Sequence, residues 1–233
     1  MITKRIFLIL FVALLSSNVF SQKVANKQFA LIDYDLSISK DMETELSSLE
    51  SYIDGIKTYN DPGNNKLEAI LVHIIYFTLK EKLEEQLMME ILPINTFMRK
   101  VKYDDYGYPR TTIRDALKKG YSRYYFKLEA KVESLTEEKM KNDTTMYKDI
   151  DYPSIFPQIN IHVTIYNKDG VLPVDKWIGT STARYPLPIN KYLLKGFDNK
   201  QMDVLPLKEN QDDNLFLILD RAIQNVIQDY HTK

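Results

Sequence analysis

The sequence has no cysteine among its 233 residues. This excludes catalysis by a thiol, metal sites built from thiolates and stabilisation by disulfide bonds. It also excludes the lipid that bacterial lipoproteins carry on a cysteine at the leader cleavage site. Extracellular animal domains usually contain disulfides, so the bacterial periplasm or medium fits this composition better.

Glycine and histidine are also scarce, with seven and three residues. The sequence contains no G-x-S-x-G, G-x-G-x-x-G or G-x-x-x-x-G-K-[ST] motif, so it predicts no glycine-rich phosphate loop and no nucleophile elbow. His73, His162 and His231 lack the spacing of a helical zinc site. We therefore expect neither a metal nor a cofactor.

Neither sign of charge is in excess. The 31 basic and 32 acidic residues leave a formal net charge of −1. A nucleic-acid-binding domain usually carries a clear basic excess, so we expect no nucleic-acid partner.

The amino terminus has the three parts of a secretory signal peptide. Lys4 and Arg5 precede an apolar run, Ile6 to Leu15, and Val19 and Ser21 stand at −3 and −1 of a cleavage site before Gln22. The run is too short to span a bilayer, and no later run is long enough. We expect a signal peptide at 1–21, a periplasmic or secreted protein without a transmembrane anchor, and a single α/β domain at 22–233.

The first half of the chain predicts mixed elements. Residues 28–35 are typical of a strand, and an apolar stripe with Ser39 as N-cap predicts a helix over 40–56. Residues 66–91 allow two interpretations: a strand followed by a helix, or one long helix, which the leucines and isoleucines at every fourth residue favour. A short strand at 94–102 and a helix at 112–119 follow.

The second half changes to a period of two. Alternation predicts strands near 126–133 and 159–166, and a third strand is expected at 174–183. Asn167-Lys168-Asp169-Gly170 predicts a tight turn with Gly170 at positive φ. An amphipathic helix at 215–230 closes the chain. The charged connection at 134–156 is too long for an ordinary hairpin loop.

This order predicts an α/β fold, with α+β as the alternative: a single mixed β-sheet, a layer of helices, a C-terminal strand meander and a closing helix. The order resembles that of exported bacterial envelope domains such as the TolB amino-terminal domain and the LpoB and CsgG group. The resemblance covers most of 28–230 and rests on topology. It implies a non-catalytic role, docking onto another envelope protein.

Side chains of the types that anchor protein interfaces recur in two loops and one strand. The candidate binding residues are Tyr106, Tyr108, Arg110, Tyr147, Tyr152, Phe156 and Trp177. We expect them to form one surface for an envelope protein.

Two alternatives stay open. The protein could carry a small apolar ligand between sheet and helices. It could also be a hydrolase that uses paired carboxylates from two loops, Asp104 with Asp105 and Asp149 with Asp151.

Overall fold

The computed structural model describes residues 24–56, 65–120, 122–135, 153–197 and 213–233. The predicted signal peptide at 1–21 and most of the 134–156 connection lie outside these residues, as do Tyr147, Tyr152, Asp149 and Asp151. Within them, no helix combines the length and hydrophobicity needed to cross a bilayer.

Among the described residues, seven strands form one mixed sheet, and two short strands pair apart from it. The strands are β1 (Gln28–Ile38), β2 (Glu90–Ile91), β3 (Lys102–Tyr103), β4 (Pro109–Arg110), β5 (Tyr124–Ser134), β6 (Ser154–Ile155), β7 (Pro157–Asn167), β8 (Asp175–Thr182) and β9 (Leu187–Pro188). The main order is β3-β4-β1-β5-β7-β8, with β2 also on β1 and with β6 and β9 as the separate pair.

The sheet is mixed because its two halves are connected differently. β1 and β5 are parallel, and the helices between them make the crossover. β5, β7 and β8 are antiparallel neighbours, which is the predicted meander. The mixed sheet, its helical layer and the closing helix confirm the predicted α/β fold.

Five α-helices accompany the sheet in the described residues: α1 (Lys40–Leu46), α2 (Glu50–Gly55), α3 (Lys66–Leu87), α4 (Ile113–Lys119) and α5 (Leu215–Thr232). The side chains of Ser39, Asn65, Thr112 and Asn214 cap α1, α3, α4 and α5. The predicted helix at 40–56 is divided, because a 3₁₀ turn at Ser47–Leu49 separates α1 from α2.

The long-helix interpretation of 66–91 is confirmed, although α3 ends at Leu87. Met88 then takes a left-handed conformation, with φ 53° and ψ 32°. Buried residues lie all around the amino-terminal half of α3, from Ala69 to Tyr76. A repeat of four drifts around a helix of 3.6 residues per turn, so its apolar positions reach several neighbours.

The main core lies between one face of the sheet and helices α3 and α5, and a smaller cluster covers part of the other face. The smaller cluster consists of Ala30, Ile32, Phe97, Ala116, Tyr125 and Tyr166. It lies under α4 and the 3₁₀ segment Ile94–Lys100.

Two local predictions were wrong. Residues 94–100 form short 3₁₀ turns with a kink at Met98, and only Lys102–Tyr103 are strand, so the strand predicted at 94–102 is mostly absent. Gly170 has no positive φ. The Asn167 side chain instead accepts a hydrogen bond from the Asp169 amide at 3.1 Å, an Asx turn that needs no left-handed residue.

Candidate functional site

Tyr108 is a core residue. It is fully buried, and its ring meets Tyr34 edge-on at 5.1 Å between centroids. Its hydroxyl lies 2.8 Å from His73 Nδ1, and Tyr76 packs on another side. Burial lowers the pKa of His73, which favours the neutral imidazole. Tyr108 therefore fastens the β3–β4 hairpin to α3 and offers nothing to a partner at the surface.

Trp177 is buried as well, at the opposite edge of the sheet. None of its surface is exposed, and it packs edge-on against Tyr230 of α5 with centroids 5.2 Å apart. Four strand spacings of about 4.8 Å separate β8 from β4, which carries Arg110. The structure does not bring Trp177 together with the residues of the 104–110 hairpin.

The remaining aromatic candidates also pack inward. Tyr106 and Phe156 are half-buried against the main core. Burial raises the pKa of the Tyr106 hydroxyl to about 12, with the nearby Glu68 carboxylate acting in the same direction. Of the predicted binding residues in the described part of the chain, only Arg110 is an exposed one.

Asp104, one of the carboxylates of the hydrolase alternative, closes the hairpin loop. Its Oδ1 accepts the backbone amides of Tyr106 and Tyr108 at 3.0 and 2.8 Å, and its Oδ2 lies 3.6 Å from Arg110 Nε. Burial raises the pKa of Asp104, and the Tyr108 amide and Arg110 oppose that rise. Its neighbour Asp105 is exposed. This geometry gives Asp104 a structural role.

Arg110 joins three carboxylates. Its guanidinium lies 3.2 Å from Asp35, 3.5 Å from Asp33 and 3.6 Å from Asp104. Asp33 also pairs with Lys127 at 2.9 Å, and Asp33 and Lys127 are register partners on β1 and β5. Arg110 thus ties the β3–β4 hairpin to β1.

A basic cleft opens beside this cluster. Its volume is about 520 Å³, and five of the residues that line it are cationic while two are acidic. The cations are Arg99, Lys100, Lys102, Arg110 and Lys119, and the acids are Asp33 and Asp115. The cations come from four neighbouring elements: the 3₁₀ segment, β3, β4 and α4. Sequence reasoning missed this cleft and identified only Arg110.

The backbone is strained at Met98, immediately before two of these cations. Met98 has φ 51° and ψ −131°, a conformation that suits glycine. Its side chain is 74% exposed, so packing does not compensate for the strain. The turn brings the chain from the 3₁₀ segment towards β3 and places Arg99 and Lys100 at the cleft.

We expect Met98→Gly to raise the free energy of unfolding by about 1 kcal/mol, because it removes strain of roughly 1 to 3 kcal/mol at some cost in unfolded-state entropy. Met98→Val should lower it, since a β-branched residue tolerates this φ worse than methionine. Chemical denaturation of the two variants checks both signs. Equal stabilities would contradict a strained turn.

Exposed apolar side chains collect at the β7–β8 hairpin. Leu172 is 77% exposed, Val174 51%, Ile178 42% and Val171 41%. Trp177 and Gly179 face α5, so Val174 and Ile178 project from the opposite face of the sheet by alternation. The sequence signal for this group is the apolar run Val171 to Val174, which directly follows the turn residues Asn167 to Gly170.

Polar side chains continue this face across the sheet. Gln158 Nε2 donates to Thr182 Oγ1 at 2.8 Å, and Thr180 Oγ1 donates to Asn160 Oδ1 at 2.7 Å. Asn160 Nδ2 also donates to Glu133 at 3.1 Å. These bonds hold the polar side chains in fixed positions near the Pro157 end of β7, on the same face of the sheet as Ile178 and away from the β7–β8 turn.

The free edge of β8 is closed by side chains of α5. Asp229 accepts the Ile178 amide at 2.8 Å, and Asn225 donates to the Thr180 carbonyl at 2.7 Å. Lys233 donates to the Lys176 carbonyl. Because these three backbone groups are occupied, another strand cannot pair with them without displacing α5 side chains.

The described residues contain no group of three or more histidine, aspartate or glutamate side chains placed to hold a metal ion. No protein-family model matches the chain, and no curated protein matches it.

Two solved structures resemble it at low identity. One is the hypothetical protein CT253 from Chlamydia trachomatis, 9% identical with a TM-score of 0.42, covering 89% of this chain and 97% of that one. The other is a homologue of the neuraminyllactose-binding hemagglutinin from Helicobacter pylori, 10% identical with a TM-score of 0.31, covering 90% and 83%. We draw no functional conclusion from either.

Proposed function

We propose that this chain is an exported, non-catalytic binding module of the bacterial cell envelope that docks onto another envelope protein. The observation that carries the proposal is the group of exposed apolar side chains at the β7–β8 hairpin: Val171, Leu172, Val174 and Ile178. We call this group the hairpin patch. Exposed apolar residues grouped among polar ones are typical of protein interfaces, and here the exposed Lys176 lies between Val174 and Ile178.

The open face of the sheet, which leads away from the hairpin patch, supports this role. The hydrogen-bonded side chains Asn160, Thr180 and Glu133 form a polar surface on the same side of the sheet. Their bonds already restrict the side chains, so a partner would lose less conformational entropy on binding them. Val174 and Ile178 would supply the apolar contacts.

The closed edge of β8 decides the mode of contact. Asp229 and Asn225 occupy the Ile178 amide and the Thr180 carbonyl. A partner would therefore contact side chains on the open face and would not extend the sheet by a strand.

The position of the hairpin patch changes the expectation from the sequence. The 134–156 connection leads into β7 at Pro157, whereas the hairpin leaves β7 at Asn167. The patch thus lies at the other end of an 11-residue strand from that connection. The structural roles of Asp104, Trp177 and Tyr108 also favour binding through the hairpin over hydrolysis or an aromatic surface.

Site-specific photocrosslinking in intact cells tests the proposal. We expect a photoreactive amino acid at Leu172 to give an adduct of defined mass, and the same probe at the exposed Gln86 of α3 to give none. Ile178→Asp should reduce the Leu172 adduct about tenfold, the effect of losing roughly 1.4 kcal/mol of binding energy. Denaturation of purified Ile178→Asp must show an intact fold.

Three results would overturn the proposal. They are no adduct at Leu172, equal adducts at Leu172 and Gln86, and an adduct with the mass of two copies of this chain. The last would indicate that the hairpin patch joins copies of this protein.

A further inference from the structure

We infer that the basic cleft between the 3₁₀ segment, the β3–β4 hairpin and α4 binds a phosphate monoester. This inference is independent of the proposed function, because the cleft and the hairpin patch lie at opposite edges of the sheet.

The charge of the cleft is not neutralised by its own acids. Of its two carboxylates, Asp33 pairs with Lys127 and Arg110, and Asp115 accepts the Thr112 hydroxyl at 3.2 Å. Five cations line the same space. The field inside the cleft therefore attracts anions.

The available cations lie away from Arg110. Arg110 is already surrounded by Asp33, Asp35 and Asp104, whose carboxylates would repel a second anion. Within the described residues, no carboxylate lies within ion-pair distance of Arg99, Lys102 or Lys119. We place the ligand among these three side chains.

The number and type of these cations favour a phosphate over a carboxylate. A phosphate monoester carries a charge of about −1.5 to −2 at neutral pH and has three acceptor oxygens. Arg99 can donate two parallel hydrogen bonds to it, while Lys102 and Lys119 act as point charges. A single carboxylate would leave most of the positive charge unmatched.

The size of the cleft limits the rest of the ligand. A volume of about 520 Å³ lies within the range of roughly 300 to 1,000 Å³ typical of small-molecule sites. A phosphorylated sugar fits this range, as does the headgroup of a phospholipid.

The cleft is built on fixed backbone. Lys102 and Tyr103 pair with Arg110 and Pro109. Gly120, which ends α4, lies so close to the 3₁₀ segment that a Cβ atom there would be 2.7 Å from the Phe97 ring. The turn at Met98 sets the direction of Arg99. A site held in this way binds with little reorganisation.

Calorimetric titration of the purified protein with glucose 6-phosphate at low salt tests the inference. We expect saturable binding that Lys119→Glu and Lys102→Glu each weaken at least tenfold. Lys118→Glu is the matched control, because Lys118 is the exposed neighbour of Lys119 on α4 and does not line the cleft. Lys118→Glu should change the affinity for glucose 6-phosphate less than twofold, and Leu172→Asp should leave this affinity unchanged.

Two further arms separate the sources of the phosphate. Co-sedimentation with phosphatidylcholine vesicles that contain phosphatidic acid identifies a lipid headgroup if vesicle binding is much tighter than sugar phosphate binding and depends on Lys119. Glucuronate keeps the sugar ring and carries a carboxylate at C6 where glucose 6-phosphate carries its phosphate. Equal affinity for glucuronate, equal effects of Lys118→Glu and Lys119→Glu, or no binding to either phosphate probe would overturn the inference.

Discussion

Replacing Gly179 by alanine is expected to lower the free energy of unfolding by about 3 kcal/mol, a large effect for one added methyl group. Helix α5 crosses β8 directly at this residue. A Cβ atom on Gly179 would lie 2.0 Å from the Ala222 carbonyl oxygen and 2.6 Å from both the backbone nitrogen and Cγ2 of Val226. Two of these atoms are backbone, so no side-chain rotation relieves the overlap, and α5 must move away from the sheet.

Gly170→Ala is the matched control for that substitution. Gly170 is in the β7–β8 turn, has no positive φ, and a Cβ atom there would have no neighbour within 4 Å. We expect its stability to be unchanged or raised by up to about 1 kcal/mol. Denaturant titration of both variants measures the difference. A Gly179→Ala protein as stable as Gly170→Ala would contradict the close approach of α5 to β8.

Much of the architecture followed from local patterns. The alternation in β5 and β7 predicted both strands, because each has one face on the core and one in solvent. The apolar residues at every fourth position favoured the long α3 over a strand followed by a helix. The strand predicted at 94–102 failed because the apolar residues there serve a 3₁₀ segment whose Phe97 packs under α4.

The candidate sites were harder to predict because they depend on which distant elements meet. Arg99, Lys102 and Lys119 share a cleft only because β3 pairs with β4 and α4 returns against the 3₁₀ segment. Adjacent strand residues such as Trp177 and Ile178 lie on opposite faces of β8, but alternation does not say which face α5 covers. Gly179, which lies on the same face as Trp177, indicates the face that α5 covers, since a glycine in a strand marks a close approach of backbone.

Trp177→Ala is expected to lower the free energy of unfolding by about 3 to 5 kcal/mol. The indole is fully buried between the sheet and α5, where Tyr230 packs against it. An alanine would leave a cavity at the centre of this contact, and α5 and β8 would lose their largest shared side chain. Unfolding followed by circular dichroism measures the loss in a protein that no longer has an indole.

Trp177→Phe separates this structural role from a binding role. The Trp177 Nε1 donor is buried without a hydrogen-bond partner among the described residues. Phenylalanine removes that unsatisfied donor, which offsets part of the loss in volume, so we expect a cost of about 1 kcal/mol. Because Trp177 is the single tryptophan of the chain, the wild-type fluorescence reports its environment directly: a blue-shifted emission, little quenched by acrylamide, is expected. Strong quenching in the native protein, or a Trp177→Ala variant of unchanged stability, would contradict a core position. Either result would support the sequence-based prediction that Trp177 is part of a binding surface.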